Sequence, residues 1–291
     1  MEHILLKVVL PLSLAFIMFT LGMGLKVASF SDILKFPKAF TLGLVNQVIL
    51  LPIVGFLIAV MFQLTPALAV GVMILALSPG GVTTNVLTKI AGANTALSIT
   101  LTATVTLISV ITLPIIIGLS MRYFTGSVPE EFNILKISVS IFLITVVPVS
   151  IGVLLTHLAP GFVTKASRLL SKIAMVLFVV IVLAAILSNW ETLISNLVRL
   201  GPALVLMNVV LLVIGLLTAT MFGLGAKDAT TIAIETGVQN VTIAIAVAPL
   251  IVASTSALPE EAIPAAVYGV VMYIVTMPFV YLRMRKHKKP A

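Results

Sequence analysis

Nine apolar stretches, each long enough to cross the roughly 30 Å of hydrocarbon in a bilayer, constrain this chain more than any other feature. They cover residues 4–25, 38–62, 66–91, 94–122, 133–157, 166–188, 199–223, 228–253 and 261–283. The residues are 60% hydrophobic and only 9% charged, a balance that excludes a soluble protein of this size. The sequence therefore predicts an all-α polytopic membrane protein with nine transmembrane helices and no soluble domain between them.

The lysines and arginines indicate how the chain is oriented. If the C-terminus is cytoplasmic, four of the 17 lie at outer span ends: Lys7, Arg122, Lys136 and Arg199. The others lie at inner ends: Lys26, Lys35, Lys38, Lys89, Lys165, Arg168, Lys172, Lys227, Arg283, Arg285, Lys286, Lys288 and Lys289. By the positive-inside rule, the N-terminus is expected outside, and residues 284–291 are expected to form a basic cytoplasmic tail. Because these charges flank apolar spans, the net charge of +8 predicts no nucleic-acid partner.

The eighth span carries an acidic residue near the middle of the membrane. Residues 235–240 read ETGVQN, whereas the other acidic residues fall at span ends or in loops. A charge at this depth costs roughly 2.5–3.5 kcal/mol on insertion scales, so Glu235 is predicted to be functional. Gly237 among polar residues indicates a helix that unwinds at this point. The alternative is a continuous helix that makes a buried polar contact with a neighbour.

The third span is interrupted in a similar way, by the sequence SPGG at residues 78–81. Proline breaks the preceding turn and suits the first turn of a new helix, so two half-helices are predicted here. A single kinked helix packed through its glycines is the alternative. The broken spans lie in the middle of two three-span groups, 38–122 and 199–283, which are five spans apart. Because five is an odd number of spans, the second group would be inverted in the membrane relative to the first. Inverted-repeat transporters have this arrangement, and their site lies where the breaks meet.

Side chains near the breaks offer oxygen ligands for a hard cation. Glu235 supplies a carboxylate, and unwound backbone would expose the carbonyls of Thr236 and Val238. Amide and hydroxyl oxygens come from Gln47, Asn85, Gln239, Asn240, Thr84, Ser98 and Thr102. Broken transporter helices coordinate Na⁺ with such groups. Cysteine is absent and the three histidines lie at span ends, so no cofactor is expected and sodium is the only predicted metal.

Two further patterns concern the same region. One helical face carries Asn94, Ser98, Thr102 and Thr106, four residues apart. These groups either join the site or bond back to their own helix, as Ser and Thr commonly do in membranes. Half-helices that begin near Val82 and near Asn240 would direct free N–H groups and positive dipole ends at the cavity. The residues thus predict binding of Na⁺ together with an organic anion.

Three segments of the chain are similar to the bile acid:sodium symporter family. They are IMFTLGMGLKVASFSDILKFPK, SPGGVTTNVLTKIAGANTALSIT and ETGVQN, and the likeness covers essentially the whole chain. The chain resembles a bacterial member in a nine-helix form that lacks the first of ten helices. The resemblance implies a core domain with two crossing discontinuous helices and a panel domain that moves against it. By this resemblance, residues 1–62 form the first panel helix and the first core helix, and residues 133–188 form the other panel helices. The rest of the core is formed by residues 63–122, with broken helix 66–91, and by the core repeat 199–283, with broken helix 228–253.

By motif, the resemblance also implies two sodium sites and a substrate site. The first sodium site would use Thr84, Asn85, Ser98, Thr102 and Glu235. The second would use Gln47, Glu235, Gln239 and the carbonyls of Thr236 and Val238, so that Glu235 bridges both ions. The substrate would contact Gly81, Val82 and Asn240. Thr84 stands where many relatives have serine and keeps the hydroxyl, whereas Val82 stands where some bacterial relatives have threonine and removes a hydrogen-bonding group.

The predicted function is sodium-coupled symport of an organic anion by alternating access, and no enzyme activity is expected. The anion would be bile acid-like or a small carboxylate such as pantoate. Expected partners are sodium ions, the anion and lipids of a bacterial inner membrane; the oligomeric state is open, a monomer included. A proton-coupled or exchange carrier of the same fold, with Glu235 protonated, is the first alternative. A channel and an intramembrane enzyme are others, although no Ser–His, paired-Asp or zinc constellation lies at membrane depth.

Overall fold

The computed structural model describes residues 2–25, 36–130, 132–252 and 258–288, and within these ranges the chain forms helices and no strands. The helices in chain order are α1 Glu2–Met23, α2 Pro37–Met61, α3 Pro66–Ala76, α4 Val82–Ile90, α5 Thr95–Thr125, α6 Ile134–Leu158, α7 Pro160–Ser188, α8 Trp190–Met221, α9 Ala226–Gly237, α10 Val241–Ile251 and α11 Ile263–Lys288. A short 3₁₀ turn, Glu260–Ala262, leads into α11. An all-α polytopic membrane protein is confirmed.

Seven spans among the described residues are long and apolar enough to cross a membrane, judged by length and composition. They are α2, α5, α6, α7, α8, the α9–α10 pair and α11 with the turn before it. Two shorter apolar helices are Val8–Met23 within α1, and α3. Helix α3 is short because the chain breaks after it and resumes as α4. The predicted number of nine transmembrane helices therefore stays a prediction.

Two of the long helices contain a widened π turn before a proline. The π turn of α2 covers Asn46–Leu50 and precedes Pro52, and that of α6 covers Phe142–Val146 and precedes Pro148. Proline lacks the N–H that would continue the α-helical ladder, and a π turn accommodates this local change. In α2, the turn contains Gln47, one of the predicted sodium ligands.

Helix α1 packs mainly against α6 and α7, while α2 to α5 and α8 to α11 pack around the broken pairs. Helix α7 also contacts α10 and α11, and α6 contacts α5. A Cβ atom on Gly22 would lie 2.1 Å from the Val149 carbonyl oxygen, so only glycine allows α1 and α6 to approach so closely. The apolar stretch of α9–α10 is 89% buried, against 22% in α7. The second broken pair therefore lies at the centre of the molecule.

The bounds of α7 and α8 differ from the prediction. Helix α7 begins at Pro160 rather than at residue 166, and α8 begins at Trp190 rather than at residue 199. The predicted connection at 189–198 is therefore wrong: only Asn189 separates the two helices. Of residues 190–199 only Leu193 is buried, and the exposed ones include apolar Val198 as well as polar Glu191.

Some residues used in the sequence predictions lie outside the described ranges. They are Lys26, Lys35 and Lys289, together with residue 253 of the eighth predicted span and residues 289–291 of the predicted tail. The opening segment of the family resemblance also includes residues 26–35, which the structure does not describe. All residues predicted to bind sodium or substrate are described.

Candidate functional site

Both predicted breaks are present, and they meet. Residues 77–81 separate α3 from α4, and residues 238–240 separate α9 from α10. The backbone N–H of Asn240 donates to the carbonyl oxygen of Pro79, with 2.8 Å between nitrogen and oxygen. The half-helices α4 and α10 begin where the sequence predicts, and their N-termini lie at this crossing. The two discontinuous helices of the predicted fold are thus confirmed.

The carboxylate of Glu235 is the centre of a buried polar cluster. Glu235 lies in the last turn of α9 and is fully buried. Its Oε1 accepts from Ser98 Oγ at 2.5 Å and Thr102 Oγ1 at 3.2 Å. Its Oε2 accepts from Gln47 Nε2 at 3.0 Å and Thr102 Oγ1 at 3.1 Å. These partners are neutral, and a buried carboxylate among neutral groups favours the binding of a cation.

The five residues predicted for the first sodium site lie together. Ser98 Oγ lies 2.8 Å from Asn85 Oδ1 as well as 2.5 Å from Glu235 Oε1. Thr84 Oγ1 lies 3.2 Å from Thr102 Oγ1. A hydroxyl has one proton, so Ser98 does not satisfy both of its acceptor oxygens at once. A cation among these oxygens would remove that conflict, and the residues present fit one.

The five residues predicted for the second sodium site gather at the α9 break. Gln47 Nε2 also donates to the carbonyl oxygen of Glu235 at 3.1 Å, and Gln239 Nε2 donates to that of Thr236 at 2.8 Å. Val238 lies in the break and is fully buried. The Oε1 atoms of Gln47 and Gln239 are buried without a hydrogen-bond partner. Because such orphaned oxygens are costly, their position fits oxygen ligation of a cation.

Gly80, which was not among the predicted site residues, leaves space for the cluster. A Cβ atom at this position would lie 2.7 Å from Glu235 Oε2 and 3.1 Å from the hydroxyl oxygens of Thr84 and Thr102. Any side chain here would displace the carboxylate or the hydroxyls. The signal in the sequence was the glycine pair after Pro79, which predicted unwinding but not this contact.

The four residues spaced four apart at Asn94, Ser98, Thr102 and Thr106 have three different roles. Ser98 and Thr102 bond to Glu235 and therefore join the cluster. Thr106 Oγ1 donates to the Thr102 carbonyl oxygen at 2.7 Å, within its own helix. Asn94 caps the start of α5 and donates to Asp228 Oδ1 on α9 at 2.8 Å. Spacing alone does not distinguish these roles.

Three buried residues near the break were missed by sequence reasoning. Asn208 Nδ2 and Tyr268 OH both donate to the Gly237 carbonyl oxygen, at 2.6 Å and 2.7 Å, and lie 2.9 Å from each other. Thr276 Oγ1 donates to Asn208 Oδ1 at 3.2 Å. We call Asn208, Tyr268 and Thr276 the carbonyl clamp; all three are fully buried. The available signal was an asparagine deep in the apolar sequence of α8.

A pocket lies beside the crossing, between α1, α7 and the N-termini of α4 and α10. Its cavity volume is about 80 Å³, and the described residues that line it carry no charge. The residues predicted to contact substrate all line it: Gly81, Val82 and Asn240. Its apolar wall includes Met18, Met175 and Met272. Asn240 Oδ1 caps α10 by accepting from Ile243 N at 3.2 Å, which leaves the amide nitrogen of Asn240 for a ligand.

Comparisons with known proteins point in one direction. A sequence profile described as the Sodium Bile acid symporter family matches residues 11–196. A Bacillus subtilis (strain 168) protein described as the uncharacterized sodium-dependent transporter YocS is 28% identical over 257 residues, 88% of this chain and 77% of its own length. The human ileal sodium/bile acid cotransporter is 29% identical over 246 residues, 81% of this chain and 68% of its own. A rice protein described as the probable chloroplastic sodium/metabolite cotransporter BASS1 is 26% identical over 235 residues, 81% of this chain and 57% of its own.

Proposed function

The chain belongs to the Sodium Bile acid symporter family, and we propose that it is a sodium-coupled symporter that carries an organic anion by alternating access. The descriptions of its relatives as sodium-dependent transporters or cotransporters support sodium coupling in general and a protein that is not an enzyme. Those descriptions name bile acids and metabolites as cargo of the relatives. For this chain the proposed cargo is a bile acid-like anion or a small carboxylate such as pantoate.

The observation that carries this proposal is the oxygen cluster around Glu235. We propose that one Na⁺ binds among Thr84, Asn85, Ser98, Thr102 and Glu235. A second would bind at Gln47, Glu235, Gln239 and the carbonyls of Thr236 and Val238. The shared proton of Ser98 and the orphaned Oε1 atoms of Gln47 and Gln239 support both assignments. Sodium is a hard cation that prefers such oxygen ligands, and no further cofactor is proposed.

Charge balance explains why an anion would travel with sodium. Two Na⁺ around one carboxylate leave one positive charge in excess within a buried cluster. An anion in the adjacent pocket lowers the electrostatic energy of that charge, because Coulomb interactions strengthen where water is excluded. The N-termini of α4 and α10 add positive dipole ends at Gly81, Val82 and Asn240. Either ion alone would leave the cluster neutral and weaken binding of the anion.

The packing of the helices supports a division into two moving parts. We propose that α1, α6 and α7 form the panel domain and that the remaining helices form the core domain. The pocket has walls from both groups, so movement of one against the other would open it to alternate sides. We further propose that the protein lies in a bacterial inner membrane with its N-terminus outside and its C-terminus in the cytoplasm. Lys38, Lys89 and Lys227 at the inner helix ends support this orientation.

The first experiment measures thermal stability of the purified protein in NaCl and in KCl. Sodium at about 100 times its dissociation constant should stabilise the wild type by about 2.7 kcal/mol per site. Glu235→Gln should lose this response, because the shared carboxylate is removed. Glu191→Gln is the matched control, since Glu191 is exposed at the start of α8 and should keep the response. Uptake of labelled pantoate or taurocholate into vesicles under a sodium gradient then identifies the anion.

A folded wild type that gains no stability from sodium contradicts the proposal. If lower pH drives uptake instead, and Glu235→Gln abolishes that uptake, the protein is a proton-coupled carrier of the same fold. This alternative follows from the same geometry, because a proton on the Glu235 carboxylate also neutralises it.

A further inference from the structure

The carbonyl clamp acts on a helix end that lies inside the molecule. A helix leaves its last carbonyl groups without intrahelical partners, and such groups are costly where no water reaches them. A carbonyl oxygen has two lone pairs, and Gly237 O receives two donors, from α8 and α11. Both lone pairs are thus used. The Gly237 oxygen is therefore not left for an ion.

The carbonyls of Glu235 and Thr236, which precede Gly237, accept fewer hydrogen bonds. The carbonyl oxygen of Glu235 accepts from Gln47 Nε2, and that of Thr236 accepts from Gln239 Nε2. In the described contacts each accepts one hydrogen bond, and the donor is a side-chain amide. These carbonyls keep a lone pair that can point at a cation. The difference between the clamped carbonyl and its neighbours decides which oxygens face the second sodium site.

The backbone around Gly237 has little room to move. A Cβ atom on Gly237 would lie 2.7 Å from the Cγ atom of Leu212, and one on Gly215 would lie 2.7 Å from the Cα atom of Ala233. The last turn of α9 is therefore in close contact with α8. Because the Gly237 carbonyl and the Val238 N–H belong to one planar peptide unit, holding that carbonyl also fixes the Val238 N–H, which donates to the Ile234 carbonyl oxygen at 2.9 Å.

We propose that Asn208, Tyr268 and Thr276 are positioning residues for the second sodium site. They hold the Gly237 carbonyl away from the ion and so orient the carbonyls of Thr236 and Val238 towards it. The clamp sets sodium affinity without touching sodium or substrate. This inference depends on the proposed function, because it assigns a role at one of the proposed sodium sites.

The test is a sodium titration of thermal stability in three clamp variants. Tyr268→Phe removes one hydroxyl and should raise the half-saturating sodium concentration about fivefold, as expected for loss of one buried hydrogen bond. Thr276→Val removes the hydroxyl that donates to Asn208 and should raise the half-saturating sodium concentration about twofold. Asn208→Leu removes both the donor and the acceptor of the network and should have the largest effect. Tyr281→Phe is the matched control, because Tyr281 lies at the exposed end of α11, the helix of Tyr268 and Thr276. This variant should respond to sodium like the wild type.

A second readout separates positioning from a purely structural role. Tyr268→Phe should lower the Hill coefficient of sodium-driven uptake towards one, because only the second site is weakened. The KM for the anion at saturating sodium should stay unchanged. A structural role alone would lower the melting temperature without sodium and leave the half-saturating concentration unchanged, and this result in Tyr268→Phe and Thr276→Val overturns the inference.

The outcomes also separate this inference from the proposed function. If the wild type shows no response to sodium, both are overturned. If the wild type titrates and the clamp variants titrate identically, only the role of the clamp is overturned. Should Asn208→Leu fail to fold, Tyr268→Phe and Thr276→Val still decide, because each removes a single polar group.

Discussion

The two breaks occupy equivalent places in their three-span groups but are held by different means. The first, at residues 77–81, contains a proline and a glycine pair, and the Ser78 hydroxyl bonds back to the Ile74 carbonyl of α3 at 2.9 Å. The second, at residues 238–240, contains no proline. The carbonyls before it accept instead from side chains of α2, α8 and α11. The first break thus follows mainly from its own proline and glycines, although Pro79 O also accepts from Asn240 N, whereas the second depends more on side chains of other helices.

This difference indicates which break responds to ions. A break caused by proline and glycine persists whatever is bound, because no ligand replaces the missing N–H. The second break is adjustable at the Glu235 and Thr236 carbonyls and at the Glu235 carboxylate, because a cation can replace their amide donors, whereas the clamp fixes the Gly237 carbonyl. Glu235 and the orphaned oxygen of Gln239 lie at the second break. We therefore expect the first break to act as a fixed support and the second as the element that senses sodium.

Gly80→Ala should have the largest effect, since it forces the fixed break into the ion cluster. The added Cβ would lie 2.7 Å from Glu235 Oε2. Strain of this kind costs about 1–3 kcal/mol, and at its upper end it would weaken sodium binding about 100-fold. Sodium-dependent thermal stabilisation and vesicle uptake both measure the loss.

Gly161→Ala on α7 is the control, because no atom lies within 4 Å of a Cβ at that position. Equal behaviour of the two variants would show that Gly80 does not limit the space beside Glu235.

Thr102→Val should have the next largest effect. Thr102 Oγ1 donates to the carboxylate of Glu235 and lies 3.2 Å from Thr84 Oγ1. Loss of a hydroxyl oxygen from the proposed first sodium site should raise the half-saturating sodium concentration about tenfold, or about 1.4 kcal/mol. Thr106→Val, one turn further along α5, should change it less than about twofold, because Thr106 bonds only to its own helix in the described contacts. A sodium titration in which both variants shift alike would remove the distinction between the two hydroxyls.

Much of the fold was predictable because its signals are local. Pro79 with two glycines, and Gly237 among polar residues, predicted both interruptions, and α4 and α10 begin at the expected positions. The connection between α7 and α8 was not predicted correctly. The predicted spans left residues 189–198 between them, but Trp190 and the residues after it belong to α8.

The site was predictable only where its residues lie in recognisable motifs. The resemblance placed Thr84, Ser98 and Glu235 in one site, and the structure brings them together. Asn208 and Tyr268 contact a residue 29 and 31 positions away, and each lies in an apolar stretch of its helix. Such contacts depend on the rotation of α8 and α11 about their axes, which hydrophobicity alone does not specify. The contact of Gly80 with Glu235 was unpredictable for the same reason.

Gly237→Ala tests the adjustable break by steric pressure, with a smaller expected effect. A Cβ atom would meet the Leu212 side chain at 2.7 Å, and that side chain can shift more easily than backbone can. We expect sodium affinity to fall about fivefold, or about 1 kcal/mol. The double variant with Leu212→Ala should bring affinity back to within about twofold of Leu212→Ala alone, since the pair is coupled through one contact. Affinity is the readout because Leu212→Ala also lowers stability by leaving a cavity. Additive effects in this cycle would contradict direct contact as the cause.

Pro79→Ala should have the smallest effect, and it is the most direct test of the difference between the breaks. The substitution leaves the carbonyl that accepts from Asn240 N, and it leaves both glycines after it. If the first break is only a support, the half-saturating sodium concentration should change less than about twofold, an effect below about 0.4 kcal/mol. A lower maximal uptake rate is compatible with this expectation, because a more flexible first break allows the core domain to distort during the change between outward-open and inward-open states. Uptake and sodium titration of the same preparation separate the two quantities. A tenfold loss of sodium affinity in Pro79→Ala would mean that the first break also senses the ion, and the two breaks would then have to be treated as one coupled element.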